Sequence, residues 1–481
     1  MRNDLLSLDE IGRGVDARRA DYCALSDRIW AAPELAFEEH GAANEQIALL
    51  EGEGFHIRKG VGGMPTAFVA EHGSGGPVVG FLGEFDALPA LGQMSGETER
   101  KPSGRRAPGH GCGHNLLGSG SALAAAALKG ALAAEGIAGT VRYYGCPAEE
   151  SGSGKTFMAR AGLFDDLDAA FCWHPNVVNI VQTASSLACI QARFRFTGAA
   201  SHAAISPHLG RSALDAVELM NVGVNYMREH MPSDARVHYA IIDPGGDAPN
   251  VVQASAESLY LVRSPHLSQA ERLFERVRKI AGGAALMTET AVEMRVVDAN
   301  SNVLPNKVLQ EAMYENMKRL RGPGFDEMDH AFAGKLRKAA LTEEEMLASV
   351  SAHDPSLATQ ALHDGLIAIP ATESLVMGST DVGDVSWVVP TVQCNTACFA
   401  IGTQFHTWQL VTQGNLPAAH KGMLLAAKAM ASTAADCFRD PGLISRARAE
   451  LNERTGGRAY VCPIPPEISP GDLRFPDSSV G

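Results

Sequence analysis

Apolar positions along this 481-residue chain change rhythm twice, and the changes outline two domains. Residues 16–52 carry apolar side chains at helical spacing around Ile47, Leu49 and Leu50, which predicts an N-terminal helical segment broken at Pro33. Short unbroken apolar runs then begin to alternate with helical patterns. Val78–Phe85 predicts a buried strand, the Ala-rich stretch 116–134 a helix, and Thr140–Gly145 a second strand. A short helix near 156–161 leads to a third strand, "AAFCWHP". Alternation of this kind predicts an α/β domain built on a mostly parallel sheet.

The next segment runs differently. "IQARFRFTG" reads as a strand, 211–229 as a helix, "ARVHYAII" and "AESLYLVRS" as two strands, 267–287 as a helix and "TAVEMRVVDA" as a strand. The order β-α-β-β-α-β is that of a ferredoxin-like unit. The expected organisation is therefore a catalytic domain of residues 1–190 and 305–481, with an inserted domain at 191–304. Exposed edges of such small sheets often pair across a dimer. After the insertion, "NKVLQEAMYENMKRL" predicts a helix, and the charged stretch 322–364 reads as helical surface with no nameable chemistry. Glycine-rich strands and loops are expected over 377–404, then a last helix over 417–439 and a surface tail from Thr455.

Composition narrows the class. A 45% hydrophobic and 20% charged chain has the balance of a globular enzyme. The formal net charge of −14 argues against nucleic acid or an anionic membrane surface as a partner, because both require clustered cations. A local arginine can still hold a small anionic ligand. The nine scattered cysteines fit a reducing compartment better than a disulfide scaffold. The charged N-terminus lacks the apolar core of a signal peptide, and the longest apolar run is too short to cross a bilayer. The expectation is a cytoplasmic protein.

In a parallel sheet, functional groups gather beyond the carboxyl ends of the strands. The first strand here ends in Glu84 and Asp86. The loop "GHGCGH" before the Ala-rich helix carries His110, Cys112 and His114. The second strand runs into Glu149 and Glu150, the third ends at His174, and "GTQFHTWQL" offers His406 downstream. Each alone is commonplace. Together they supply thiolate, imidazole and carboxylate, the ligands of a zinc or manganese site. Such a site with a spare carboxylate points to metal-assisted hydrolysis, and the number of ligands suits two ions.

In this order, "GEFDALP", "GHGCGH", "PAEE", "CWHP", "FTGAASHAA" and "FHTWQL" resemble the di-metal aminoacylase/carboxypeptidase family, in its amidohydrolase branch with the indole-acetyl-amino-acid hydrolases. The resemblance spans nearly the whole chain. It implies Cys112, His114, Glu150, His174 and His406 as ligands of two divalent ions, zinc or manganese, with Cys112 between them. It makes Glu149 the general base and acid, and Asp86 the group that orients a ligand imidazole. The inserted domain matches the family's lid and dimerisation domain. There His202 of "SHAA" implies an oxyanion donor to the partner subunit's site, and Asn250 and Arg263 imply holders of a substrate carboxylate. Two departures stand out: relatives often carry a histidine ligand where Glu84 stands, and Ser-Glu-Asp where "STDVGD" places Asp381. His110 and His420 match no ligand position.

The expected reaction is hydrolysis of the amide between an aryl or acyl group and an amino acid, glutamate or another acidic one. The alternatives are an enzyme acting on a different aromatic amide or amine, such as an indole-acetyl-amino acid, or a non-catalytic subunit of the same fold. The intact Cys112, Glu149 and histidines argue against the last. The expected assembly is a homodimer through the lid, with a related second subunit as a further partner.

Overall fold

The computed structural model describes residues 6–473. They form two compact units. The first comprises residues up to Ala184, Leu304–Ser374 and Val385–Tyr460; the second comprises Ser185–Val303, Leu375–Asp384 and the described residues from Val461 onward. The insertion thus begins a few residues before 191 and gathers two later segments that its strand pattern does not announce.

The first unit is built on a seven-stranded sheet in the order His56–Lys59, Phe68–Ser74, Gly139–Cys146, Val78–Glu84, Ala169–Asn176, Thr391–Ala397, Ile180–Val181. The four strands 139–146, 78–84, 169–176 and 391–397 run parallel. The others join antiparallel at the two edges. Neither His56–Lys59 nor Phe68–Ser74 is predicted by the apolar pattern; the first has exposed or half-buried side chains throughout.

Helix His114–Glu135 packs across this sheet, with an almost continuous buried surface from His114 to Leu128. Its small residues permit that approach. A Cβ at Gly118 would lie 2.6 Å from the Glu84 carbonyl, and one at Gly120 would lie 2.8 Å from the Trp173 ring. Trp173 Nε1 donates to the Leu117 carbonyl at 2.9 Å, which ties the helix start to the third strand's end. Among the described residues this is the one helix long and apolar enough to cross a membrane, and it is core here. Helices Leu8–Ala17, Arg19–Ala31 and Pro417–Arg439 pack against it.

The N-terminal segment is three helices, with Pro33 between Arg19–Ala31 and His40–Gly52. Residues 322–364 form helices Glu327–Ala340 and Glu343–Ala348, with a small core around Ala333, Leu336 and Leu362 that Ala400 completes. Within 377–404 the structure has a helix, Val382–Val388, where the sequence pattern predicts glycine-rich loop and strand; Asp384 in its first turn accepts from Ser301 Oγ at 2.7 Å. The last long helix is followed by another, Pro441–Thr455, started by Pro441 behind an Asp440 cap.

The second unit carries a four-stranded antiparallel sheet in the order 291–300, 188–197, 255–264, 236–243. With helices Ala213–Arg228 and Leu267–Thr288 this is the β-α-β-β-α-β arrangement. Strand Ser255–Ser264 alternates strictly between buried and half-buried residues, so one face packs on helices and the other, with Arg263, does not. None of the nine cysteines, all among the described residues, is in a disulfide.

Candidate metal centre

The parallel strands of the first unit bring their carboxyl ends together, and the residues there converge. Ligand atoms of Cys112, His114 and His174 lie within 4.8 Å of one another, as do those of Cys112, Glu150 and His406. Cys112 belongs to both groups, as the shared ligand of a two-ion site would. A third group of the same tightness joins Glu84, His114 and Glu149. All five residues implied as ligands are therefore assembled, with Glu149 beside them.

The hydrogen bonds behind these side chains fix which atoms face inward. His114 Nδ1 donates to Asp86 Oδ1 at 2.8 Å, leaving Nε2 as the nitrogen that could ligate an ion. His174 Nδ1 donates to the Pro175 carbonyl at 2.8 Å, so its Nε2 faces Cys112 Sγ at 3.3 Å. The other oxygen of Asp86 accepts the Glu150 backbone N–H at 2.9 Å. Asp86 thus holds both the His114 imidazole and the backbone segment that carries Glu150. His406 Nε2 lies 3.3 Å from Glu150 Oε2, and its backbone N–H donates to the Gly111 carbonyl at 2.8 Å.

Two atoms test whether cations fit this cradle. His114 Nε2 and Glu150 Oε1 are buried and make no hydrogen bond. Buried polar atoms are almost always satisfied, and two lone-pair atoms turned into one thiol- and imidazole-lined space fit divalent ions.

The charge balance of the site rests on its own groups: burial lowers His114, but Cys112 and Asp86 outweigh it and raise the imidazole well above its ordinary value, and Glu150 raises His406. Burial raises the Glu150 carboxyl, but His406 and His114 outweigh it and hold the group down at about 2. Burial pushes the Cys112 thiol well above its ordinary value, with Glu150 adding to the rise. Only a strong local cation would make it a thiolate, as a coordinated thiol becomes. Burial also lowers His174, which keeps its imidazole neutral, the form that ligates.

The backbone is bent to make these approaches. Ala148 and His406 both hold positive φ, at 57° and 61°. Such conformations are costly for residues with a Cβ and persist where surroundings enforce them. Gly113, at φ 80°, turns the chain between Cys112 and His114, and a Cβ there would meet Pro175 Cγ at 2.8 Å. Gly113→Ala is expected to cost about 1–3 kcal/mol. Thermal denaturation and elemental analysis should show stability and metal content falling together; an unchanged melting temperature with full metal content would refute this.

Two buried charged residues at the site, Glu39 and Lys155, have no signal in the sequence pattern. Glu39 accepts from the Ala148 backbone N–H and from Thr66 Oγ1, both at 2.9 Å, so it anchors the turn that carries Glu149. Lys155 Nζ lies 2.6 Å from Glu84 Oε1, while Glu84 Oε2 lies 3.2 Å from His114 Nε2. Burial raises the Glu84 carboxyl, but Lys155 and His114 outweigh it and the group stays below its ordinary range. His110 is a structural residue: its Nε2 meets the Ile29 carbonyl at 3.2 Å, and burial holds its pKa at about 3. His420 pairs with Asp27 at 2.9 Å.

His202, Asn250 and Arg263 lie in the second unit. His202 Nδ1 accepts from the backbone N–H groups of Ala204 and Ile205, both at 3.2 Å, which leaves the ring proton on Nε2. Asn250 is adjacent, its carbonyl accepting from Ala203. Arg263 Nη1 reaches Ser379 Oγ at 3.4 Å, while its Nε is buried without a hydrogen bond.

Residues 80–409 match the sequence model of peptidase family M20/M25/M40. The chain belongs to that family. Family members are peptidases, and this chain is accordingly a hydrolase of amide bonds. The M20 chain is 46% identical to one subunit of the p-aminobenzoyl-glutamate hydrolase of Escherichia coli (strain K12), over 96% of this chain and 98% of that one. It is 34% identical to the Xaa-Arg dipeptidase of Mus musculus, over 89% and 88% of the two chains. Among solved structures, its fold is similar to a dinuclear metal-binding M20 peptidase from Bacillus subtilis, with a TM-score of 0.53, 17% identity, and coverage of 86% of this chain and 99% of that one.

Proposed function

We propose that this M20 chain is a metal-dependent hydrolase that cleaves the amide of an aryl- or acyl-amino acid, with p-aminobenzoyl-glutamate as the type of substrate. The observation that carries the reading is the pair of three-residue groups sharing Cys112. Cys112, His114 and His174 would hold one divalent ion, and Cys112, Glu150 and His406 the other, zinc or manganese in each case. Bound there, such ions polarise a carbonyl and lower the pKa of water.

The remaining work falls to the chain. A Glu149 carboxylate oxygen lies within 4.8 Å of ligand-type atoms of Glu84 and His114, which supports it as the group that moves the proton. It takes a proton from the attacking water as the water oxygen bonds to the amide carbon, and gives it to the leaving nitrogen as the C–N bond breaks. His202, with its ring proton on Nε2, is a donor for the developing oxyanion, supplied from the second unit of a partner subunit. Arg263 and Asn250 hold the carboxylate of the released amino acid. The buried Nε of Arg263 without a partner supports that role, because a guanidinium fork binds a carboxylate through parallel charge-assisted bonds. The assembly proposed is a homodimer through the second unit, with a related subunit as a further partner. Nine free cysteines support a reducing, cytoplasmic setting.

The relative named as an Xaa-Arg dipeptidase supports a second reading, in which the released residue is basic. A panel of p-aminobenzoyl-glutamate, indole-acetyl-aspartate, N-acetyl amino acids and Xaa-Arg dipeptides separates the two. Failure of the metal-loaded protein to cleave any of them would sink both. Arg263→Ala is expected to raise KM for substrates with a free carboxylate roughly 10-fold or more, at the strength of a charge-assisted bond. An esterified analogue should be barely affected, and an equal loss on both would remove Arg263 from recognition.

A further inference from the structure

Lys155 lies in helix Gly154–Arg160 and is completely buried. Lysine is almost never fully buried without a partner, and here Nζ sits 2.6 Å from Glu84 Oε1. A well-packed apolar pair in place of a buried ion pair is often as stable, so packing alone gives no reason for this one. A cation so close to a centre built for cations should also weaken metal binding. Its place in the site suggests what it does.

Glu84 turns its second oxygen towards the ligating nitrogen of His114, at 3.2 Å. An unrestrained carboxylate there would be drawn to any ion on that nitrogen. Yet Glu84 shares its tight grouping with His114 and Glu149, and not with Cys112 and His174. Zinc–oxygen bonds of about 2.0–2.2 Å would require Glu84 to move inwards to join the Cys112, His114 and His174 set. The ion pair with Lys155 opposes that movement.

We infer that Lys155 is a positioning residue that holds Glu84 outside the coordination shell of the His114 ion, keeping one position of that ion open beside Glu149. Catalytic metal sites keep such a position, and structural ones are closed. A fourth protein ligand on the Cys112, His114 and His174 ion would close this one. The inference rests on the two-ion reading above.

The test is a cobalt(II) titration of apoprotein from the full chain, comparing wild type with Lys155→Met, Glu84→Gln and the double variant. Absorption bands of cobalt(II) report coordination number and geometry. Wild type should take up two ions. In Lys155→Met the freed Glu84 should join the shell, weakening and shifting the d–d bands and slowing release to a chelator about 10-fold, the low end of effects from groups behind metal ligands. Glu84→Gln and the double variant should show wild-type bands and release.

Unchanged bands and release in Lys155→Met would overturn the inference while leaving the two-ion reading intact. So would bands that change equally in Lys155→Met and the double variant. A wild type that takes up no cobalt would instead remove the two-ion reading, and the inference with it. If Lys155→Met does not fold, Lys155→Gln replaces it with the same expectations. A purely structural lysine would lower the folded fraction without moving the bands of the folded protein.

Discussion

Glu149→Gln should keep both metal ions and lose turnover by roughly 10²–10⁴-fold, the range for removing a general acid and base. The two adjacent glutamates are separable because the structure gives them different partners. Glu150 is held by Asp86 through its backbone and by His406 through its carboxylate, and it closes the second ligand group. Glu149 shares no group with Cys112; it stands with Glu84 and His114. Glutamine keeps the shape of the side chain and its place on the Ala148 turn, but it cannot accept and return a proton at neutral pH. The loss should fall on kcat with KM nearly unchanged, since the interaction is made only as the reaction proceeds. Glu150→Gln is the contrast: it should lose metal and activity together. Elemental analysis beside steady-state kinetics distinguishes the two. Metal loss from Glu149→Gln, with metal retained in Glu150→Gln, would exchange their assignments.

The residues that hold this site are legible where chemistry and chain position coincide. Asp86, Glu149 and Glu150 lie just beyond strand ends and His174 near the end of its strand, and short apolar runs announce those strands. Cys112 lies in the loop before the Ala-rich helix, and His114 is that helix's first residue. His406 is legible through the motif around it, since its loop lies far along the chain and its positive φ leaves no trace in periodicity. Glu39 and Lys155 are not legible. Each is a charged residue in a polar stretch, "FEEH" and "SGSGKT", where solvent exposure is the default reading, and only tertiary packing buries them. The edge strand His56–Lys59 and its neighbour Phe68–Ser74 escape for a related reason. Their pairing is with other strands of the sheet, and the apolar alternation in each is short or absent. The ferredoxin-like unit is legible because its strands run over eight to ten residues and two of them, Ala188–Thr197 and Ser255–Ser264, alternate between buried and less buried positions. The two short segments it gathers from later in the chain carry no such signal.

Cys112→Ala should be the most damaging of the ligand substitutions, because Cys112 alone belongs to both ligand groups. Removing His174 or His406 takes a ligand from one ion, and the other keeps its set. On the two-ion reading, removing the thiolate would take a ligand from both ions and delete a negative charge that serves both, so the two losses would be coupled rather than additive. The expected stoichiometry falls from two ions to below one per chain at micromolar metal. Activity should fall on the order of 10³-fold or more, corresponding to the several kcal/mol that metal ions contribute to the transition state. Folding should survive, because burial already holds the Cys112 thiol neutral without a cation and the alanine leaves no buried charge behind. Cys112→Ser should lie between the two, since a hydroxyl occupies the same place but is a poorer bridging ligand than a thiolate. Circular dichroism, elemental analysis and kinetics on the same samples decide the matter. A Cys112→Ala protein that still binds two ions would show that the groups are held by other residues, and that Cys112 is a buried thiol and nothing more.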